Sequence, residues 1–204
     1  LAATAMMQDG RLVVEAAVTN AGAGHAFPTG ISIRNAILLV QATWLGTPLS
    51  QLAGPQVPWW ADDEVAGKQP GDWAGYPGLG FAKVLEGTVS GQTTRPVLFI
   101  DATTVSSDTT LPAGTTAEAR IELTLPPGAR PGDLLEVEVQ LLYRRAWRAL
   151  AVTKGWTETP AGGPIEIEVA NRQLGVTLTT GDFEVFADGF ESGGAGAWTG
   201  SLGG

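Results

Sequence analysis

The sequence predicts an all-β protein, an antiparallel immunoglobulin-like β-sandwich with a long Gly/Pro/Trp-rich loop and an extended C-terminal tail. Apolar and polar residues alternate in ARIELTL (119–125) and LEVEVQL (135–141), which places them on opposite faces of a strand. Turn clusters separate such segments, as in LPAGTT (111–116) and PPGARPGD (126–133). The chain of 204 residues holds 28 glycines and 13 prolines, and strands punctuated in this way are typical of a sandwich.

The strands are expected in the following order. RLVVEAAVTN (11–20) indicates a half-buried strand, and the more apolar IRNAILLVQATWL (33–45) indicates a central one. Residues 48–80 break the pattern and are too long for a hairpin loop. Further strands are predicted within residues 81–89, 95–105, 115–126, 133–147, 163–173 and 174–180. For LLYRRAWRALAV (141–152) we favour a strand followed by a loop.

The alternation also predicts the core and the domain limits. The expected buried residues are Ile37, Leu39, Phe99, Ile121, Leu123, Val137 and Val139. The sequence has no internal repeat. Residues 1–180 are therefore predicted to form the sandwich, and residues 181–204 a surface-sorting or assembly tail.

Composition excludes several classes of site. The net charge is -9, with 12 basic and 21 acidic residues, which argues against a nucleic-acid partner. The chain has no cysteine, so it cannot form a disulfide, a thiolate zinc site, an iron–sulfur cluster or a thioether-attached haem by itself. No stretch is long and apolar enough to span a bilayer. We therefore expect no cofactor and no membrane span in this sequence.

The segment VTNAGAGHAFPTGISIRNAILLVQATW (18–44) contains the single histidine. It resembles the signature that opens the haem-free β-rich region near the C-terminus of bacterial multihaem c-type cytochromes. The matching residues are Asn20, Gly24, His25, Pro28, Thr29, Gly30 and Arg34. Segments 78–87, 106–126 and 137–147 follow in the order usual for that family, so the resemblance covers most of residues 11–178. The family's Cys-x-x-Cys-His motifs are absent, and its electron transfer does not carry over to this chain alone.

His25 has two interpretations. It could be an axial ligand of a haem held elsewhere, or one ligand of a metal, because imidazole suits both. One histidine without cysteines makes a poor transition-metal site, since such sites gather three or four ligands. The structural interpretation is a turn residue within a loop braced by glycines and Pro28. We favour the structural interpretation.

The tail carries a second resemblance. FEVFADGFESGGAGAW (183–198) is similar to a C-terminal segment found on many secreted and surface proteins of Gram-negative bacteria. This resemblance implies an extracellular or cell-surface location. Because FEVFA (183–187) alternates like a strand, we expect residues 183–198 to pack on a sandwich, either their own or that of the next copy. The residues assigned to this role are Phe183, Phe186, Asp188, Phe190, Glu191 and Trp198.

Two further clusters are candidates for interactions. The long loop holds aromatic residues that could stack on a sugar or anchor a protein, although covering one end of the sandwich is the favoured role. These are Trp59, Trp60, Trp73 and Tyr76. The basic cluster Arg144, Arg145 and Arg148 could pair with acidic loops of its own domain or of a neighbour. Acidic loops such as residues 62–64 lack the spacing of a calcium loop and are interpreted as solvated.

No motif combines a nucleophile, a base and an orienting group, so we expect no enzyme. The leading hypothesis is a non-catalytic extracellular structural module, a surface or filament-forming subunit related to the C-terminal domains of multihaem cytochromes. One alternative is a redox accessory domain that docks on or shields haems of a multihaem cytochrome. The other is a carbohydrate-binding module that uses the Trp-rich loop. The expected partners are further copies of the chain or a multihaem cytochrome.

Overall fold

The computed structural model describes residues 1–183 and consists almost entirely of antiparallel strands. The strands are β1 Ala2–Gln8, β2 Arg11–Thr19, β3 Asn35–Trp44, β4 Thr47–Pro48, β5 Gln51–Ala53, β6 Gly78–Val89, β7 Gln92–Thr94, β8 Ala102–Asp108, β9 Thr116–Thr124, β10 Leu134–Arg144 and β11 Glu166–Thr177. One short helix, α1, spans Arg148–Thr153, and 3-10 turns span Trp59–Ala61 and Thr180–Phe183. Within the described chain, no helix is long and apolar enough to cross a lipid bilayer.

The strands form two sheets. The smaller sheet has the order β1-β2-β9-β5, and the larger has the order β11-β10-β3-β6-β7, with β4 on β3 and β8 on β6. Every strand pair is antiparallel. The predicted all-β sandwich is thus confirmed.

The first core lies between the sheets. In the smaller sheet β2 and β9 align Leu12 with Leu123, and in the larger sheet β3 and β10 align Val40 with Val139. These side chains point into one buried cluster. The predicted burial of Ile121, Leu123, Val137 and Val139 is confirmed.

A second core covers the outer face of the larger sheet. Ile37 and Leu39 of β3, both predicted to be buried, pack there against Trp60 of the long loop and Trp147 before α1. Strand β3 is therefore buried on both faces, which explains why its sequence is a nearly continuous apolar run. The long loop covers the flat outer face of this sheet rather than one end of the sandwich.

Three local predictions were wrong. Residues 163–173 and 174–180 were predicted as two strands, but Glu166–Thr177 is the single strand β11. Phe99 is 61% exposed, because residues 98–101 form a turn closed by the bond from Asp101 N to Leu98 O, and β8 begins only at Ala102. The apolar run VLFI was interpreted as a strand, but a short apolar run does not distinguish a strand from a turn. Residues 148–153 form α1 instead of a loop, since RALAVT has good helix propensity and packs Ala151 inward.

Candidate functional site

The loop between β2 and β3 contains the single histidine and is held by buried polar bonds. Asn20 is buried, and its Nδ2 donates to the carbonyl oxygens of His25 (2.8 Å) and Leu111 (3.0 Å). Phe27 and Leu111 also exchange backbone bonds of 2.7 and 2.8 Å. The loop is therefore locked to the turn that precedes β9, at one end of the sandwich.

The second half of this loop depends on a close approach between Gly30 and Arg34. Arg34 Nη1 donates to Thr29 O at 3.2 Å. Gly30 has φ +90°, and a Cβ added there would lie 2.8 Å from Arg34 Nη1. Pro28 is buried, whereas Gly24 is exposed, with open space where a Cβ would stand. The seven motif residues thus lie in one loop, and Asn20, Pro28, Gly30 and Arg34 have a contact or burial that accounts for their type.

The His25 ring faces solvent and makes one hydrogen bond. Its Nδ1 lies 3.1 Å from Ala26 O, and because a carbonyl oxygen only accepts, Nδ1 must carry the proton. Nε2 then holds a free lone pair and has no hydrogen-bond partner among residues 1–183. A ring nitrogen fixed by a carbonyl, with the other nitrogen open, is the arrangement that histidine ligands of metals adopt.

The surroundings of His25 limit what it could ligate. Among the described residues, no group of three His, Asp or Glu side chains could hold a metal ion. The described residues therefore do not provide His25 with the further ligands that a metal ion requires. The missing cysteines agree with this limit, since the chain cannot attach a haem covalently.

A second polar cluster is centred on Arg144. This side chain is 2% exposed, and its guanidinium donates to Glu166 Oε2 (2.5 Å), Ala61 O (2.5 Å) and Gly71 O (2.6 Å). Burial lowers the pKa of Arg144, and the adjacent Glu166 carboxylate opposes this shift. The three bonds join the long loop to β10 and β11.

Arg148 of α1 holds the same loop through its acidic residues. Its Nε donates to Asp72 Oδ1 at 2.5 Å, and Nη2 donates to Pro70 O at 2.8 Å. Asp62 receives a bond from Ala74 N (2.7 Å) and pairs with Lys68. Of the predicted basic cluster, Arg144 and Arg148 thus bind the chain's own loop, whereas Arg145 is exposed and has no ion-pair partner within residues 1–183.

The Asp72 carboxylate gives the loop a dependence on pH. Burial raises the pKa of Asp72, but the N–H groups of Gln69 and Asp63 and the Arg148 guanidinium outweigh this and hold the pKa below its usual value. A carboxylate with a lowered folded-state pKa stabilises the fold fully above its unfolded pKa of about 3.9. This contribution is lost as the pH falls through the lower folded pKa.

We therefore expect Asp72→Asn to lose stability at pH 7 and to show a shallower loss of stability between about pH 5 and pH 2 than the wild type. Urea unfolding at several pH values measures both effects. The variant still has the pH dependence of stability that Asp108 contributes. Despite partial burial, the pKa of Asp108 is lowered by hydrogen bonds from Thr110 and by Lys83. Parallel stability–pH curves for the variant and the wild type would contradict the assignment to Asp72.

The aromatic cluster of the long loop divides between core and surface. Trp60 is 5% exposed and meets Trp147 edge-on at 5.3 Å between ring centroids, so it belongs to the second core. Trp73 is half-buried and packs against Tyr76, which is more exposed. Trp59 is 53% exposed, with the Arg95 guanidinium 6.0 Å from its ring centroid. The four rings therefore do not form one open platform.

The predicted tail residues lie almost entirely outside the described chain. Phe183 is partly buried against the inter-sheet core of its own sandwich. Phe186, Asp188, Phe190, Glu191 and Trp198 lie outside the described residues. The division at residue 180 and the role of the tail stay predictions.

Sequence reasoning missed the acidic partners of the arginines. Asp72 and Glu166 carry no motif, and three of the five hydrogen bonds from Arg144 and Arg148 end on backbone oxygens. An arginine between apolar residues in VEVQLLYRRAW was the available signal, because a charged side chain on a buried face must be paired.

Comparison with known proteins gives a likeness of fold. No family model matches this sequence, and no curated protein matches it. Among solved structures, the chain is similar to a penta-heme cytochrome c552 from Thermochromatium tepidum, with a TM-score of 0.55 and 22% sequence identity. The match covers 85% of this chain and 38% of that chain, so this chain corresponds to less than half of the cytochrome. The shared fold is consistent with the resemblance that the His25 motif carries.

Proposed function

We propose that this chain is a non-catalytic assembly module that docks on a haem-bearing polypeptide of the multihaem cytochrome kind. In this proposal His25 lies at the contact and presents Nε2 to a haem that the partner carries. The tail resemblance supports an extracellular or cell-surface location for the assembly. The likeness of fold to part of a penta-heme cytochrome favours this role over the other roles that the sequence left open.

The proposal rests on the His25 ring, which is exposed and, within the described chain, bonded only through Nδ1. The ring contributes one exposed bond to its own neighbour, so it adds little to the stability of the loop. The backbone that bears it is nevertheless fixed by Asn20, a buried residue with two bonds. A rigid loop that presents an imidazole nitrogen to solvent is suited to ligation across an interface.

In this proposal the partner's haem and this chain have different roles. A haem on the partner would supply the redox chemistry, and this chain would supply the imidazole and a surface that excludes water. The bond from Nδ1–H to Ala26 O sets the tautomer and the ring plane, which is the role of outer-shell partners at metal sites. Asn20 is a positioning residue, because it holds the His25 carbonyl and not the ring.

A spectroscopic titration tests this proposal. A ferric haem undecapeptide has a c-type haem with one free axial position, and its absorption changes from high-spin to low-spin when an imidazole binds. We expect the purified chain to cause this change at one equivalent, and His25→Ala to abolish it. His25→Ala should leave the free energy of unfolding within about 0.5 kcal/mol of the wild type, because the ring is exposed.

A displaced histidine provides the matched control. Gly22 lies in the same loop, is exposed and has open space around its Cβ position. In the double variant His25→Ala/Gly22→His, the chain keeps one exposed loop histidine but loses the bond to Ala26 O. We expect at least about tenfold weaker ligation from the double variant. Equal ligation by the two proteins would mean that any exposed histidine suffices, and it would contradict the proposal.

Self-association is the second candidate function. Its support is an open strand edge of low charge with exposed apolar side chains, which is described below. Sedimentation of the purified chain separates the two candidates, because self-association needs no haem.

A further inference from the structure

Strand β8 forms an open edge of the larger sheet. Ala82 of β6 pairs with Asn35 of β3 on one side, and on the other side its carbonyl accepts a bond from Thr109, the residue directly after β8. Strand β8 therefore lies on the side of β6 that faces away from β3. No strand of the described chain pairs with the outer side of β8, and its residues are exposed along almost the whole strand.

Large apolar side chains lie beside this edge. Leu98, Phe99 and Ile100 form the exposed turn that leads into β8, and Val105 projects from the strand with 51% exposure. The turn is anchored to β6 by the bond from Val97 N to Leu85 O, and Leu85 is also the residue that pairs with Val105. We call Leu98, Phe99, Ile100 and Val105 the β8 patch.

Two of the three acidic residues next to the β8 patch are paired within the chain, whereas Asp101, exposed between Ile100 and β8, has no ion-pair partner among the described residues. Glu86 pairs with Arg95 at 3.9 Å, and Asp108 pairs with Lys83 at 3.0 Å. Between residues 102 and 107 the strand ATTVSS contains no charged residue and no proline. A chain of net charge -9 thus has an apolar surface with a single unpaired charge, that of Asp101, where edge strands usually carry lysine, proline or a covering loop.

The remaining edges differ from this one. Strand β11, at the opposite edge of the larger sheet, carries Glu166, Glu168 and Arg172. Strand β5 is only three residues long, and β1 alternates between exposed and half-buried side chains. Short, charged or partly covered edges are the ordinary protection against pairing with another chain.

We propose that the β8 patch is an interface with a second copy of this chain, related by a two-fold axis. A two-fold contact places the same surface on both sides, so an apolar patch of low charge meets an identical patch. The acidic remainder of the chain disfavours anionic surfaces such as acidic lipid, and like-charge repulsion disfavours contacts between copies elsewhere. This interface is independent of His25 and of haem docking.

The two bulges in β8 determine the form of the contact. Thr103 and Ser106 are the extra residues relative to β6. The Thr103 hydroxyl donates to Glu86 O (3.3 Å), and the Ser106 hydroxyl accepts a bond from Arg95 Nη1 (3.3 Å). A long regular ladder between two β8 strands is therefore not expected. The contact instead centres on Val105 and the apolar turn of each copy.

Analytical ultracentrifugation of the full chain over a range of concentrations tests the interface. We expect a monomer–dimer equilibrium for the wild type, and we expect Val105→Lys to raise the dissociation constant by at least about tenfold, because the two-fold axis brings both lysines together. Phe99→Ser should weaken the dimer in the same direction. His25→Ala should leave the dimer unchanged. The test of the β8 interface is therefore independent of the test of haem docking.

Two exposed apolar residues on other edges provide matched controls. Val169 on β11 is 50% exposed and Met6 on β1 is 48% exposed, close to the 51% of Val105. We expect Val169→Lys and Met6→Lys to leave the dissociation constant within about twofold of the wild-type value. A monomer at every concentration, or equal weakening by a control variant, would overturn the proposal.

Discussion

Arg144→Ala is expected to lower the free energy of unfolding by about 2–4 kcal/mol, mainly because it leaves buried backbone acceptors without a donor, while the partner Glu166 is 35% exposed and can be solvated. The truncation removes three hydrogen bonds and leaves Glu166 without its cation. It also leaves the carbonyl oxygens of Ala61 and Gly71 unpaired beneath the long loop. Chemical denaturation followed by tryptophan fluorescence and by circular dichroism measures the change.

Arg145→Ala is the matched control, since the residue is adjacent, exposed and without an ion-pair partner in the described chain. We expect it to change the free energy of unfolding by no more than about 0.5 kcal/mol. Equal effects of the two substitutions would show that the guanidinium of Arg144 does not hold the long loop. In that case the second core would have to be stabilised by its apolar contacts alone.

Trp60→Ala is expected to cost about 3–5 kcal/mol, because the ring fills the second core between β3 and the segment around Trp147. Its neighbour provides the control: Trp59→Ala removes an exposed ring whose contact with Arg95 is worth about 0.5–1 kcal/mol. Thermal unfolding of both variants distinguishes them. If both variants lower the free energy of unfolding by the same small amount, the long loop does not form a core with the larger sheet.

The parts of the fold that the sequence predicted are those with a repeating pattern. Leu123 and Val137 lie in alternating segments, so their faces followed from the period of a strand. The apolar run of β3 correctly indicated a central strand, although the layer over its second face could not be read from it. That layer comes from residues 55–76, a stretch without periodicity, whose position is decided by bonds to Arg144 and Arg148.

The candidate site, like the fold, could be predicted from the sequence only in part. The His25 motif was visible in the sequence, and the structure adds which atom of the ring is left open. That information depends on the position of Ala26 O relative to Nδ1, which residue identity does not encode. Phe99 illustrates the opposite error, since an apolar residue was placed in the core when its turn exposes it beside β8.

The two proposed contacts use different parts of the molecule. The His25 loop is bonded to the turn before β9, at one end of the sandwich, whereas the β8 patch lies along an edge of the larger sheet. A dimer formed through β8 would therefore carry two His25 loops. Such an assembly would present two docking positions to haem-bearing partners.

The tautomer of His25 tests the proposed haem ligation, and the chain suits this measurement because it has a single histidine. With ¹⁵N-labelled histidine at mildly alkaline pH, where imidazole is neutral, the nitrogen shifts identify the protonated ring atom. We predict the Nδ1–H form, with Nε2 unprotonated, and loss of the Nε2 resonance when the ferric haem undecapeptide is added. A predominant Nε2–H form whose resonances are unchanged by the haem peptide would contradict haem ligation by His25.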